Sequence, residues 1–267
     1  EKLPACCQPK FKPAGSSLEI HNRVKDIVKQ SLSIYEIKTE ILKQANPDLI
    51  ITQDHCDVCA VSLDEVEQAV CRLLDSNPAI ITLTPDRLED VWKGIQQVAE
   101  GLGAAEKGKD LVGACQRRMA EISKKVPQRK EKLKIVCVEW FDPLMVAANW
   151  MPELIEMAGA ENLFGRTGEH APVITWQKII DANPDVIVMM PCGWDVKKSR
   201  EEAAIITGKP GWRDLKAVKN GHVYLTDSNQ YFNRPGPRLV DSLEILCEIF
   251  YPEVFEPRHL NEGWQPL

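Results

Sequence analysis

Residues 40–51 read EILKQANPDLII, and residues 177–188 read QKIIDANPDVIV. Each stretch is a helix end, then Ala-Asn-Pro-Asp, then an apolar run. The proline ends the helix, because the residue before a proline avoids the helical region. The apolar run that follows has the composition of a strand buried on both faces. Each run leads into a polar loop with cysteine: Gln53-Asp54-His55-Cys56 in the first half, Pro191-Cys192-Gly193-Trp194 in the second. Each loop then leads through a helix to another strand, ending in Leu83-Thr84 and Leu225-Thr226. A helix followed by Asn-Pro-Asp is also a common way to enter a parallel strand, so the short match alone does not establish duplication. The matched order of elements favours it.

The same alternation extends outward. Ser16-x-x-Glu19 is a capping box, and Ile20, Val24, Ile27 and Val28 then repeat at helical spacing. Ser62-x-x-Glu65 is a second capping box, and residues 79–83 form another apolar run. Helical periodicity runs from Leu88 to about Val126, interrupted by Gly101 and Gly103 and stopped by Pro127. A helix of about 20 residues spans about 30 Å, the width of a small domain. The pattern then restarts. Strands are predicted at 135–138, 186–189 and 222–225, and helices at 152–157, 176–182, 197–206 and 212–218. Pro237 is placed as the first residue of the last helix. The fold class is therefore α/β: two Rossmann-like lobes with parallel sheets, joined by a long backbone helix. Residues 1–86 form the N-terminal lobe, 87–133 the backbone helix and linker, and 134–267 the C-terminal lobe. Ligands of open α/β sheets bind outside the carboxyl ends of the strands. Both cysteine loops fall at such ends, so both are expected to line a cleft between the lobes.

Composition narrows the function. The formal net charge of −6 argues against nucleic acid as a partner. No stretch approaches the roughly 18 apolar residues of a membrane span. The nine cysteines are odd in number, and several sit in apolar periodic segments, which favours free thiols over a disulfide framework. There is no Gly-rich phosphate loop and no nucleophile elbow, and His170, His222 and His259 have no evident partners in the sequence. Cys56-x-x-Cys59 beside His55 invites a metal or redox reading. A structural zinc site needs four ligands, and no second pair is present. Cleft lining is the better reading of these residues.

Aromatic residues fill the loops of the second half. Glu139-Trp140 follows a strand, and Asn149-Trp150 and Trp194 lie in predicted loops. A Trp at a strand end is commonly core, but in a cleft it offers a flat stacking face. Residues 229–238 read NQYFNRPGPR, a stiff loop from which Tyr231, Phe232 and Arg234 project. Such a surface suits a polar, partly flat ligand.

The runs ITQDHCDVCAVSLDEVE, VEWFDP, NWMPELIEMAGA, ANPDVIVMMPCGWD, GHVYLTDSN and FNRPGPRLVDSLEIL resemble the cobalamin-binding substrate-binding proteins of ABC importers. These are the periplasmic-binding-protein-like class III proteins with a helical backbone between two lobes. The resemblance covers nearly the whole chain. It implies a monomeric binding protein with no catalytic cofactor, a cobalamin or related corrinoid held between the lobes, and an ABC-importer permease as partner. It also implies a periplasmic or cell-envelope location, whereas the cysteine count and the lack of a visible signal peptide fit a cytoplasmic one. Carried over by position, the ligand-facing candidates are Gln53, Asp54, His55 and Cys56 in the first lobe. In the second they are Glu139, Trp140, Trp150, Cys192, Gly193, Trp194, Asn229, Phe232 and Arg234. An axial contact from His55 or a cysteine thiolate to cobalt would be an addition to this set, which otherwise includes no metal ligand.

One departure stands out. Members of this family normally begin with a strand, a Ser-Ala-Thr-Glu helix start and a His-Glu-Cys-Asp-like loop. None of these is found here, so the first lobe is expected to be N-terminally incomplete. Two alternatives remain at this point. The same fold could bind haem, a ferric siderophore or another metal chelate. A Cys/His-dependent chelatase or redox enzyme would instead require His55, Cys56, Cys59 and Cys192 to converge.

Overall fold

The computed structural model describes residues 3–29, 34–54, 66 and 78–267. The second capping box at Ser62, together with His55, Cys56 and Cys59, lies outside the described residues. The chain divides into two compact units. One comprises 1–85 and 92–110, the other 86–91 and 111–267.

In the first unit, β1 (Cys7–Pro9) pairs antiparallel with β2 (Tyr35–Ile37). Between them lies α1 (Ser17–Val28), opened by the expected capping box of Ser16 and Glu19. Helix α2 (Thr39–Ala45) leads into β3 (Leu49–Gln53), which pairs in parallel with β4 (Ala79–Leu83). The β1–β2 ribbon was not expected, because residues 1–15 show only prolines and no strand periodicity.

The predicted backbone helix is two helices, α3 (Leu88–Gly101) and α4 (Ala105–Lys125). The break has a definite cause. Gly103 adopts φ +65°, Ala104 N–H reaches back to Ala99 O at 2.7 Å and Gly103 N–H to Glu100 O at 2.9 Å. This double closure around a left-handed glycine is a Schellman stop. A new helix must then start, with α4 alone having the length expected for a backbone helix.

The second unit is built on β5 (Lys134–Trp140), β8 (Val186–Met189) and β9 (Val223–Thr226), all parallel. β7 (Glu161–Asn162) runs parallel to the start of β5 on its other side, and β6 (Met145–Val146) pairs antiparallel with its end. β10 (Trp264–Pro266) closes the far edge, antiparallel to β9. Ile135 to Val138 and Val188 to Met190 are wholly inaccessible to solvent. Each such side chain contributes roughly 1.5–3 kcal/mol of burial. Around the sheet lie α5 (Met151–Met157), α6 (Trp176–Ala182), α7 (Val196–Glu202), α8 (Ala204–Thr207), a 3-10 turn at Trp212–Asp214, α9 (Lys216–Lys219) and α10 (Leu239–Phe250). α10 packs on α5, α7 on β9 and α9 on β8. The predicted helix at 197–206 splits into α7 and α8, and that at 212–218 into the 3-10 turn and α9. α10 starts at Leu239 rather than at Pro237, with Arg238 as its N-cap. Cys115, Cys137 and Cys247 are buried core residues. Burial pushes the Cys247 thiol up to about 12.

The repeated motif has the same local geometry in both units. α2 and α6 are both seven residues long, and Asn46 (φ 39°, ψ 60°) and Asn183 (φ 43°, ψ 66°) both terminate them in the left-handed region. Asparagine tolerates this conformation better than other non-glycine residues. Asn183 also bonds through its side chain, where Oδ1 accepts the Lys216 N–H at 2.8 Å. The neighbouring Asp185 accepts the Lys134 N–H at 2.8 Å and pairs with the Lys216 ammonium. Burial alone would raise this carboxyl, but those donors hold it below the usual range.

The C-terminal segment is secured by one buried carboxylate. Glu248, 1% exposed, accepts from Trp264 Nε1 at 2.7 Å, His259 Nδ1 at 2.8 Å, and the backbone N–H groups of Arg258 and His259 at 3.1 and 3.2 Å. His259 therefore has a partner that the sequence did not reveal.

The Asn183 cap can be tested by substitution. Asn183→Gly should cost about 1 kcal/mol for the lost hydrogen bond. Asn183→Ala should cost about 2 kcal/mol, the difference being left-handed strain. Urea unfolding midpoints measure both. The carboxylate cluster can be tested by pH. The hydrogen bond to Glu248 holds the His259 imidazolium above its ordinary 6.5. Its contribution is complete below that value and is lost as pH rises through the raised folded value. Burial would raise Glu248, but its donors hold it below its ordinary 4.5, so its contribution is present above 4.5 and lost on acidification. Thermal stability should therefore decline from pH 6.5 to 8.5 more steeply in the wild type than in His259→Asn.

Candidate functional site

Strand connectivity picks out one place in the second unit. Starting from β5, the chain goes first to β6 and β7 on one side, then to β8 and β9 on the other. The order reverses at β5, so the crevice outside the carboxyl ends of β5 and β8 is a topological switch point, the usual ligand position in such sheets. The pairing continues past both strands: Met190 N–H donates to Val138 O at 2.8 Å and Cys192 N–H to Glu139 O at 3.0 Å. This brings Glu139 and Trp140 beside Cys192, Gly193 and Trp194.

The aromatic side chains form a cluster there. The rings of Trp140 and Trp194 lie 5.1 Å apart at 51°, and Phe141 meets Trp194 edge-on at 5.9 Å. The Lys198 ammonium sits 5.2 Å above the Trp194 ring, a cation–π contact. Asp195 caps α7 by accepting the Lys198 N–H at 2.7 Å, which fixes the strand-to-helix turn. Trp194 is 8% exposed, whereas Trp140 is half-buried, with its indole nitrogen shut off from solvent and without a hydrogen-bond partner. Gly193 holds φ +76°, and a Cβ there would meet nothing within 4 Å. Its surroundings are open, and Cys192 beside it is exposed.

The loop after β9 packs onto the same edge. The N–H groups of Ser228 and Asn229 donate to Trp194 O at 3.0 and 3.2 Å. Asp227 turns the loop by accepting from Gln230 N at 2.8 Å and Gln230 Nε2 at 2.9 Å. Arg234 is exposed but held: Nε donates to Asn229 O at 2.7 Å and a terminal nitrogen to Asn229 Oδ1 at 2.8 Å. Asn229 thus fixes the guanidinium plane, leaving donors of its five-donor fork facing solvent.

Two expected ligand contacts are interior residues instead. Phe232 is wholly buried and Trp150 is 6% exposed. The Trp150 indole N–H donates to Phe232 O at 3.1 Å, so the pair braces the loop from beneath. A Trp and a Phe in loop sequence look the same whether they face a ligand or the core. In the first unit, Gln53 ends β3 opposite Leu83, and the exposed Asp54 donates its N–H to Leu83 O at 2.9 Å. His55 and Cys56 are outside the described residues. Sequence reasoning missed Phe141, Lys198 and Asp227. The only signal for Asp227 is its position two residues ahead of the stiff 229–238 loop.

A metal reading finds little support elsewhere among the described residues. Asp241, Glu244 and His259 bring ligating atoms within 4.8 Å of one another. However, Arg118 donates to both Asp241 and Glu244, and His259 Nδ1 is committed to Glu248. The cluster is an ion-pair network around a guanidinium.

Trp194→Ala should cost about 3 kcal/mol, as for other buried aromatic truncations. Trp140→Ala should cost less, because Trp140 is half-buried where Trp194 is nearly inaccessible. Chemical unfolding of the two variants gives the ranking.

The family model described as periplasmic binding protein matches residues 17–230. A substrate-binding lipoprotein of an ABC transporter from Bacillus subtilis, YvrC, is 27% identical over 227 residues, covering 82% of this chain and 67% of its own. A vitamin B12-binding protein from Vibrio parahaemolyticus is 24% identical over 225 residues, covering 83% and 75%. Among solved structures, a periplasmic haem-binding protein from Pseudomonas aeruginosa superposes with a TM-score of 0.65 at 19% identity, covering 82% of this chain and 77% of its own. The last likeness establishes the two-lobed α/β fold. With four-fifths of the chain matched by the family model, the reading as a chelatase or redox enzyme is set aside: the chain belongs to the periplasmic binding protein family, whose members bind substrates and are not enzymes.

Proposed function

We propose that the chain is the substrate-binding component of an ABC importer and that it captures a planar metal chelate of the tetrapyrrole class, a corrinoid before haem. The observation that carries this reading is the Trp140–Trp194 pair at the β5/β8 switch point, beside the Asn229-anchored guanidinium of Arg234. A large flat ligand gains from the half-buried Trp140, which the nearly buried Trp194 braces so that little ordering is lost on binding. Polar groups on its periphery gain from a guanidinium whose plane is already fixed. The vitamin B12-binding relative supports the corrinoid, and the transporter lipoprotein supports delivery to a permease outside the cytoplasm. No helix among the described residues is long and apolar enough to cross a membrane.

Haem is the second reading, and the specific observation in its favour is that Arg234 pairs with a neutral amide, so its charge is available to a carboxylate.

Calorimetric titration with cyanocobalamin and separately with hemin, followed by visible spectroscopy, tests the proposal. Saturable one-to-one binding of cyanocobalamin is expected, weakened at least tenfold by Trp140→Ala and several-fold by Arg234→Ala. A corrin spectral shift lost in His55→Ala would add axial ligation. Preference for hemin would select the second reading, and binding of neither would sink both.

A further inference from the structure

The loop that carries Asn229 and Arg234 rests on the C-terminal segment. Asp227 N–H donates to Gly263 O at 2.8 Å. Trp264 is in register with Thr226, the residue before Asp227. The Tyr231 ring meets the His259 ring edge-on at 5.8 Å. A Cβ added at Gly263 would come within 3.2 Å of both Tyr231 Cε2 and His259 Cβ, and within 2.8 Å of Ile245 Cδ1. That close approach explains a glycine in a position whose alternatives would push the loop outward. Ser242 Oγ donates to Tyr231 O at 2.6 Å from the α10 side.

The C-terminal segment is in turn fixed by one group. Four donors converge on the buried Glu248 carboxylate: the Trp264 indole, the His259 imidazole and two backbone N–H groups. We infer that the buried Glu248 is a positioning residue for ligand capture: through His259 and Trp264 it sets where Asn229 and Arg234 stand. The ligand part of this inference rests on the function proposed above. The path is short and made of direct contacts: Glu248 to His259 to Tyr231, and Glu248 to Trp264 and Gly263 to Asp227. The groups facing the Glu248–His259 pair are Asp241 and Glu244 on α10, Arg118 on α4, Arg258 beside it, and Tyr231 from the loop. Arg118 and Arg258 occupy Asp241 and Glu244, leaving Glu248 as the carboxylate that His259 engages. A buried carboxylate with four donors also resists substitution in a specific way. Glu248→Gln replaces one acceptor oxygen by an NH2 group, which then faces N–H donors and leaves at least one of them without an acceptor.

Hydrogen exchange on the whole protein reads the effect locally. In Glu248→Gln, the amides of Ser228, Asn229, Phe232 and Asn233 should exchange at least tenfold faster, while those of Val136, Cys137 and Val138 stay at wild-type rates. The Kd for cyanocobalamin should rise at least fivefold with unchanged stoichiometry. His259→Asn keeps a side-chain N–H donor to Glu248 but removes the ring that meets Tyr231, so it should speed exchange of the same loop amides, by less than Glu248→Gln does. Trp264→Phe keeps an aromatic ring but removes one donor, and it provides the same readout should Glu248→Gln fail to fold. Unchanged loop protection would overturn the inference, and so would protection lost equally across loop and sheet, the signature of plain destabilisation. Should the wild type bind neither cyanocobalamin nor hemin, the proposed function fails, and the exchange comparison alone decides whether Glu248 positions the loop.

Discussion

The parallel pairing of β5 with β8 is the constraint on which the second unit depends. Ile135–Val138 and Val186–Met189 align residue for residue and are almost entirely shut off from solvent. Strands buried on both faces have no tolerance for a register slip, because a shift by one residue moves every side chain to the opposite layer. The fixed register then propagates beyond the strands. The bonds from Met190 to Val138 and from Cys192 to Glu139 continue the ladder into the loops, so the positions of Trp140 and Trp194 follow from core packing. The site floor is a by-product of the sheet, and its geometry is as stable as the sheet itself.

Much of the architecture was legible because its signals are local. The Asn-Pro-Asp motif announces a helix end and a buried strand in both halves, and the left-handed Asn46 and Asn183 show the physical reason the motif recurs. Boundaries at 79–83, 176–182 and 186–189 were readable from apolar runs bounded by turn residues. What the sequence hid was short or conditional on tertiary contact. β6 and β7 have two residues each, too few for any periodicity to register. The Schellman stop at Gly103 is visible as a glycine, but helical periodicity resumes so soon after it that the two helices read as one.

The site was less legible, for a different reason. Exposure is not written in residue type. Trp140, Trp150, Trp194 and Phe232 are equivalent as aromatic residues in loop sequence. The fold leaves the first partly exposed, makes the third a nearly buried partner for it, and sends the other two inside as a brace. The Glu248–His259–Trp264 set is the extreme case. Its members stand 11 and 16 residues from Glu248, with no spacing that a helix or strand period would flag. A Glu within the otherwise apolar end of α10 was the single clue. Burying that carboxylate is tolerable only with its full complement of donors, so a Glu in such a stretch points to partners elsewhere in the chain.

The division between a rigid aromatic floor and a polar rim bears on ligand choice. The floor accepts any flat chelate, since ring stacking discriminates weakly by itself. Selection falls to the rim, which among the described residues includes the exposed Cys192, Asp195 and Arg234 and the half-buried Glu139, Lys198 and Asn229. Haem presents two carboxylates, and each needs a cation or a set of donors to offset its desolvation. The Arg234 guanidinium serves one of them, while the Lys198 ammonium is already paired with Glu202 at 2.9 Å. A corrinoid periphery is made largely of neutral amides, which accept from a fixed guanidinium and from backbone N–H groups without a charge to balance. Among the described residues the rim therefore offers a guanidinium bound to an amide, an ammonium already paired with Glu202 and neutral polar groups, which matches an amide-rich edge better than a dianionic one and is the physical ground for ranking the corrinoid ahead of haem in the proposed function.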